Sequence, residues 1–142
     1  MLGQAPDVIV KGNGDVSLVH AGSTLDGFEW QIGNTLLSAY YGGIYIGRNV
    51  AIDPANGKPV GYGYTGSANG QNRVIQEATF NVNQTIWKDA RYGAMNLMFQ
   101  YSYLTRSPWF VAPGTPPAAH QNMAYFNLRY SLPGSAPVAV GK

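Results

Sequence analysis

The 142-residue chain contains no cysteine, which excludes a disulfide framework and any thiolate metal centre. It is also poor in charge. Asp, Glu, Lys and Arg make up 11% of the residues, against about 25% in a typical soluble domain. A coiled coil or a helical bundle with a charged surface is thereby excluded, since both need Glu and Lys in bulk. Nine basic and seven acidic residues leave a formal net charge of +2. That is weak footing for phosphate neutralisation, so a nucleic-acid partner is not expected. With aromatics at 13%, disorder driven by charge is not expected either. No apolar run approaches the roughly 18 residues of a membrane helix. The opening Met1-Leu2-Gly3-Gln4-Ala5-Pro6-Asp7 lacks the basic and apolar regions of a signal peptide. The length suits one domain.

What the chain does have is glycine (18), tyrosine (10) and a period of two. From Arg73 to Trp87, Val74, Ala78, Phe80, Val82 and Ile86 alternate with Arg73, Glu77, Thr79, Asn81, Asn83 and Thr85. From Gly93 to Arg106, Met95, Leu97, Phe99, Tyr101 and Tyr103 oppose Asn96, Gln100, Ser102 and Arg106. From Gln121 to Leu132, Ala124, Phe126, Leu128, Tyr130 and Leu132 oppose Tyr125, Asn127, Arg129 and Ser131. This alternation predicts strands whose two faces meet different surroundings. They are longer than the common strand of about 5–6 residues.

Further strands are expected over Val8–Lys11, Asp15–His20, Gly27–Ile32 and Thr35–Gly47, with a hairpin turn at Gly33-Asn34. The last of these is apolar on both faces and broken by Gly42-Gly43. The connections alternate between short (33–34, 88–92) and long (48–72, 107–120). Transmembrane β-barrels show that rhythm, with short periplasmic turns and longer outer loops; an uneven soluble sandwich shows it too.

Motifs of catalysis are weak. Gly61-Tyr62-Gly63-Tyr64-Thr65-Gly66 matches a dinucleotide fingerprint in letters but sits inside a long loop with no helix expected after it. His20 and His120 have no second ligand at metal-binding spacing. There is no Gly-x-Ser-x-Gly elbow. Asp26 and Glu29 lie three apart on a strand, on opposite faces, which is no paired-carboxylate site. Asn83-Gln84-Thr85 is a glycosylation sequon by pattern alone. No enzyme activity, metal or cofactor is expected.

The aromatics and the polar faces are more informative. Trp87, Tyr92 and Tyr130 fall at the short-turn edge, Tyr103 and Trp109 at the long-loop edge. Rings at both ends of an apolar strand face suit a membrane-interface girdle; aromatic caps on a sandwich core are the other reading. On the opposite faces, Arg73, Glu77, Asn81, Asn96, Gln100, Arg106, Asn127 and Arg129 would line a barrel lumen, a surface suited to hydrated solutes with a mild preference for anions. Without a membrane they are ordinary solvent-facing residues.

The segments Ile75–Phe80, Arg91–Leu104 and Asn122–Tyr130, together with Tyr40–Tyr45 and Ser107–Val111, make the chain resemble the C-terminal part of a large outer-membrane β-barrel. It is similar there to uncharacterised porin-like proteins of acidobacteria. The resemblance covers most of 7–133. It implies a passive or selective diffusion channel, and a last strand of the kind by which barrels are recognised for insertion. The chain departs from that pattern at its end, where ten residues follow Leu132 in place of a terminal aromatic.

The expectation is therefore an all-β fold: an antiparallel up-and-down meander of about seven long amphipathic strands over 1–132, with a flexible tail over 133–142. The long loops and tail use roughly fifty residues, and the remainder is short of the about 8 strands a membrane barrel needs. A partial, open transmembrane barrel follows, a fragment completed by the rest of a longer barrel or by self-association. Its expected location is the bacterial outer membrane, with lipid and small hydrated solutes as partners. The alternatives are a secreted, soluble β-sandwich binding module without catalysis, for carbohydrate through exposed Tyr and Trp, and a self-assembling structural β-protein.

Overall fold

A computed structural model describes residues 7–133. Within them the chain is all-β and its sheets are antiparallel. Nine strands follow one another: β1 (Val8–Val10), β2 (Val16–Leu18), β3 (Ala21–Ile32), β4 (Thr35–Ile46), β5 (Asn49–Ile52), β6 (Pro59–Tyr62), β7 (Asn72–Asp89), β8 (Gly93–Pro108) and β9 (Ala119–Ser131). The five long strands form one sheet in the order β3-β4-β7-β8-β9, with β3 and β9 at its ends. Two small hairpins, β1-β2 and β5-β6, complete the topology. The tail expected over 133–142 lies, beyond position 133, outside the described residues.

Local chemistry sets the turns. β3 and β4 are joined by the two residues Gly33-Asn34, the shortest hairpin connection. Between β7 and β8, the Asp89 carboxylate accepts the backbone N–H of Arg91 (2.7 Å) and of Tyr92 (3.0 Å), an Asx turn. Gly93 then has φ 103°, and a Cβ there would stand 2.1 Å from the Ser131 carbonyl oxygen. Any side chain at this position would push β9 away from the hairpin.

Side-chain bonds reveal the register of β7 and β8. Thr79 bonds Ser102 at 2.7 Å and Thr85 donates to Asn96 at 2.8 Å. Both pairs are six residues apart on each strand, running in opposite senses, so no bulge intervenes and all four side chains share one face.

By its contacts the chain divides into two units. Among the described residues the loop-side unit comprises 7–26, 41–78 and 103–121, and the turn-side unit 27–40, 79–102 and 122–133. The loop-side unit has an apolar core of Ile9, Ile46 and Tyr62, with Val19, Ala51 and Trp109 packed against it. Both small hairpins serve this core. Ile9 comes from β1, whose register is Val8↔Leu18, Ile9↔Ser17, Val10↔Val16. Tyr62 comes from β6, which pairs as Asn49↔Tyr62 through Ile52↔Pro59. Asn49 Nδ2 links the hairpins by donating to Ser17 Oγ (2.9 Å) and the Leu18 carbonyl (2.6 Å).

β5 and β6 were not expected within 48–72. Each has four residues, too few for alternation to stand out from a Gly-rich loop. The N-terminal part of β3, from Ala21, also went beyond the expected Gly27–Ile32, because Ala21-Gly22-Ser23-Thr24 carries no apolar alternation.

Candidate functional site

In the turn-side unit the buried side chains are polar. Ser102 is 1% exposed and Ser38 3%. The Thr79–Ser102 bond lies on this buried face, and Gln100 Nε2 reaches the same Ser102 Oγ at 3.4 Å. Thr85 donates to Asn96, and Thr35 donates to Gln84 Oε1 at 2.5 Å. The side-chain oxygens of Asn81 and Asn83 are buried with no hydrogen-bond partner among the described residues. Small hydroxyls and amides thus take the place that valine and leucine hold in a soluble sheet.

Several large apolar residues of the same unit are exposed, while Leu36, Leu37, Val82, Met95 and Leu97 are half-buried. Phe80 is 46% exposed, Phe99 45%, Leu128 58% and Phe126 72%. Phe28 and Trp30 of β3 are likewise exposed, as is every residue of that strand. Trp87, Tyr92 and Tyr130 lie exposed near the short turn, where the Tyr130 hydroxyl donates to the Tyr92 carbonyl.

The loop-side unit brings together a different set. The indole N–H of Trp109 donates to the Ile46 carbonyl, and its backbone N–H to the Gln71 carbonyl, both at 2.9 Å. Tyr45 meets the ring edge-on at 6.2 Å. The guanidiniums of Arg48 and Arg73 lie over the ring, 5.7 and 5.8 Å from its centre, a cation–π arrangement. Gly63, with φ 82°, lets the chain pass: a Cβ there would stand 2.9 Å from both Arg48 and Trp109. Gly61 and Gly63 therefore serve close packing, while Gly66, with φ 90° and open space around it, serves a turn.

Arg106 donates through Nε to Asn72 Oδ1 and through Nη2 to the Asn69 carbonyl. Tyr62, whose hydroxyl donates to the Asn72 carbonyl at 2.9 Å, has its pKa pushed above the ordinary tyrosine value by burial. The Asn72 hydrogen bond and the nearby Arg106 charge oppose that shift.

The residues assigned to a lumen fall in both units. Asn81, Asn96 and Gln100 share the hydrogen-bonded polar region of the turn-side unit. Asn127 and Arg129 belong to that unit too but lie exposed on β9. Arg73, Glu77 and Arg106 belong to the loop-side unit, where Arg73 serves Trp109 and Arg106 serves the Asn69 and Asn72 anchors. Among the interface aromatics, Trp87, Tyr92, Tyr103 and Tyr130 are exposed, while Trp109 is half-buried against the core. Sequence reasoning missed Ser38, Ser67 and Arg48. The first two are serines, whose burial leaves no mark on an alternation pattern; Arg48 lies in a loop.

Among the described residues, no group of three or more His, Asp or Glu side chains could hold a metal ion, and no helix is long and apolar enough to cross a membrane. Compared with protein-family models, with curated proteins and with solved structures, the chain matches none.

Proposed function

We propose that this chain is a porin-like segment of a bacterial outer-membrane β-barrel, through which small hydrated solutes diffuse. One observation carries the reading: the turn-side unit is inverted. Ser38 and Ser102 are buried, and Thr79 bonds Ser102 as Thr85 bonds Asn96, while Phe80, Phe99, Phe126 and Leu128 stand open. In water this arrangement exposes the side chains that gain most from burial. In a bilayer the outward apolar faces meet hydrocarbon, and the polar faces meet a hydrated lumen. Aromatic side chains near the short turn suit a headgroup belt.

The end strands define the remaining partner. β3 and β9 are exposed along nearly their whole length. A sheet edge in lipid carries backbone groups that nothing else can satisfy. The chain then needs either the rest of a longer barrel or a second copy beside these strands.

A second reading, a secreted β-sandwich binding module, draws on the loop-side unit, whose apolar core is that of a water-soluble fold. Purification separates the two. The channel reading expects aggregation in buffer, and a folded β-rich protein in nonionic detergent or lipid vesicles. A monodisperse, folded protein without detergent or lipid overturns it.

A further inference from the structure

We propose that the loop-side unit holds a binding site for small amphipathic carboxylates, under the connection between β8 and β9. A cavity of about 710 Å³ opens there, within the roughly 300–1,000 Å³ range of ligand pockets. Phe110, Val111 and Pro116, with several alanines, form its apolar walls. Arg106 lines it, and none of the lining residues is Asp or Glu.

Arg106 is prepared for an anion. Its bonds to Asn72 Oδ1 and the Asn69 carbonyl fix the guanidinium plane. They use two of the five N–H donors of arginine, so three remain for a ligand. A carboxylate matches such a fork in geometry and charge. Ser67 supplies an independent sign. It lines the same cavity and is 4% exposed, and its Oγ has no partner among the described residues. A buried hydroxyl without a partner is rare, and a carboxylate oxygen would complete it. His120, tilted against the Tyr103 ring at 6.1 Å, lines the cavity as well.

The chemistry selects within the anions. Arg106 and the unpartnered Ser67 hydroxyl in mostly apolar walls suit a singly charged carboxylate with an aryl or alkyl body; the Thr115 hydroxyl, which also lines the cavity, already donates to the Ala112 carbonyl at 2.6 Å. The inference does not rest on the channel reading, since a soluble module would carry the same cavity.

The test is a calorimetric titration of the whole folded chain with 4-phenylbutyrate and with its neutral counterpart 4-phenyl-1-butanol, corrected against empty micelles where detergent is present. The acid is expected to bind about tenfold tighter or more, a difference of about 1.4 kcal/mol. Arg106→Gln should remove the preference, and Ser67→Ala should weaken the acid more than the alcohol. Ala118→Phe, which sets a bulky ring on the cavity wall, should abolish binding of both. Equal binding of acid and alcohol overturns the proposal, as does acid binding unchanged in the Ala118→Phe protein. A folded Arg106→Gln protein that keeps the preference overturns it too.

Discussion

The two units of this chain differ in what they bury. The loop-side unit closes over Ile9, Ile46 and Tyr62, as a water-soluble fold does. The turn-side unit buries Ser38 and Ser102 and leaves Phe99, Phe126 and Leu128 open. The same five long strands run through both sets of residues, so strand pairing cannot explain the difference. Side-chain placement does. In the loop-side unit Ile9 of β1 and Tyr62 of β6 close over Ile46, although Val10, Val16, Leu18 and Ile52 of the same small hairpins stay exposed; in the turn-side unit the buried side chains are small and polar. A solvent that differs along the strands, water at the loops and hydrocarbon toward the turns, would favour such a division.

The largest expected effect breaks the loop-side core. Ile46 is 4% exposed and touches both hairpin contributions. Ile46→Ala should cost about 2–5 kcal/mol, the usual range for emptying a packed site. The loss should appear in urea unfolding whatever medium holds the protein, because this core does not need lipid. A loss below about 1 kcal/mol would mean that the cluster does not hold the unit.

The turn-side unit should answer to its medium instead. Phe126 and Asn127 are neighbours on β9, so their side chains point to opposite faces. In lipid vesicles Phe126→Arg should destabilise by about 2–4 kcal/mol if the residue lies near the bilayer centre, and less toward the interface. Asn127→Arg, on the face that the channel reading gives to a lumen, should change stability little and shift ion selectivity toward anions. Equal effects at the two positions would remove the distinction between faces. Tolerance of Phe126→Arg in a protein folded without lipid would favour the soluble module.

A smaller effect probes the inverted face itself. Ser102→Ala removes the hydroxyl that bonds both Thr79 and Gln100 at a site 1% exposed. It should cost about 1–3 kcal/mol, the net worth of two hydrogen bonds. A neutral outcome would show that the buried hydroxyls merely fill space. The same hydrogen bonds measure how far the sequence could be read. The alternation in 73–87, 93–106 and 121–132 placed Thr79 and Ser102 on the polar faces of their strands. That these faces are the covered ones could not be read, since alternation has the same period whichever side meets solvent. Trp109 shows the same limit. A tryptophan just past a strand end has one sequence signature, whether its ring meets headgroups or lies under Arg48 and Arg73. Those arginines are distant in sequence, as is Ile46, whose carbonyl takes the indole N–H. The cavity beside Arg106 was equally hidden, because a Pro- and Ala-rich loop carries no pattern for the space beneath it.

The smallest effect belongs to Tyr62, and it sharpens the claim that the loop-side unit alone has an apolar core. Burial raises the Tyr62 pKa in the folded protein, against the opposing influence of Asn72 and Arg106. The unfolded chain titrates at about 10. Below that value the phenol is protonated in both states, and the contribution to stability is complete. As pH rises from about 10 through the folded pKa, the unfolded state releases its proton first, and the contribution is lost. Ionisation also removes the donor that reaches the Asn72 carbonyl at 2.9 Å. The chain has three tryptophans, so Trp30→Phe and Trp87→Phe leave Trp109 as the single indole reporter, packed against the same core. Its fluorescence should show a loosening of the loop-side unit above pH about 10. Tyr62→Phe should abolish that step and cost about 0.5–1.5 kcal/mol at neutral pH. A step that survives in Tyr62→Phe would assign the alkaline transition to another group and detach Tyr62 from the stability of the core.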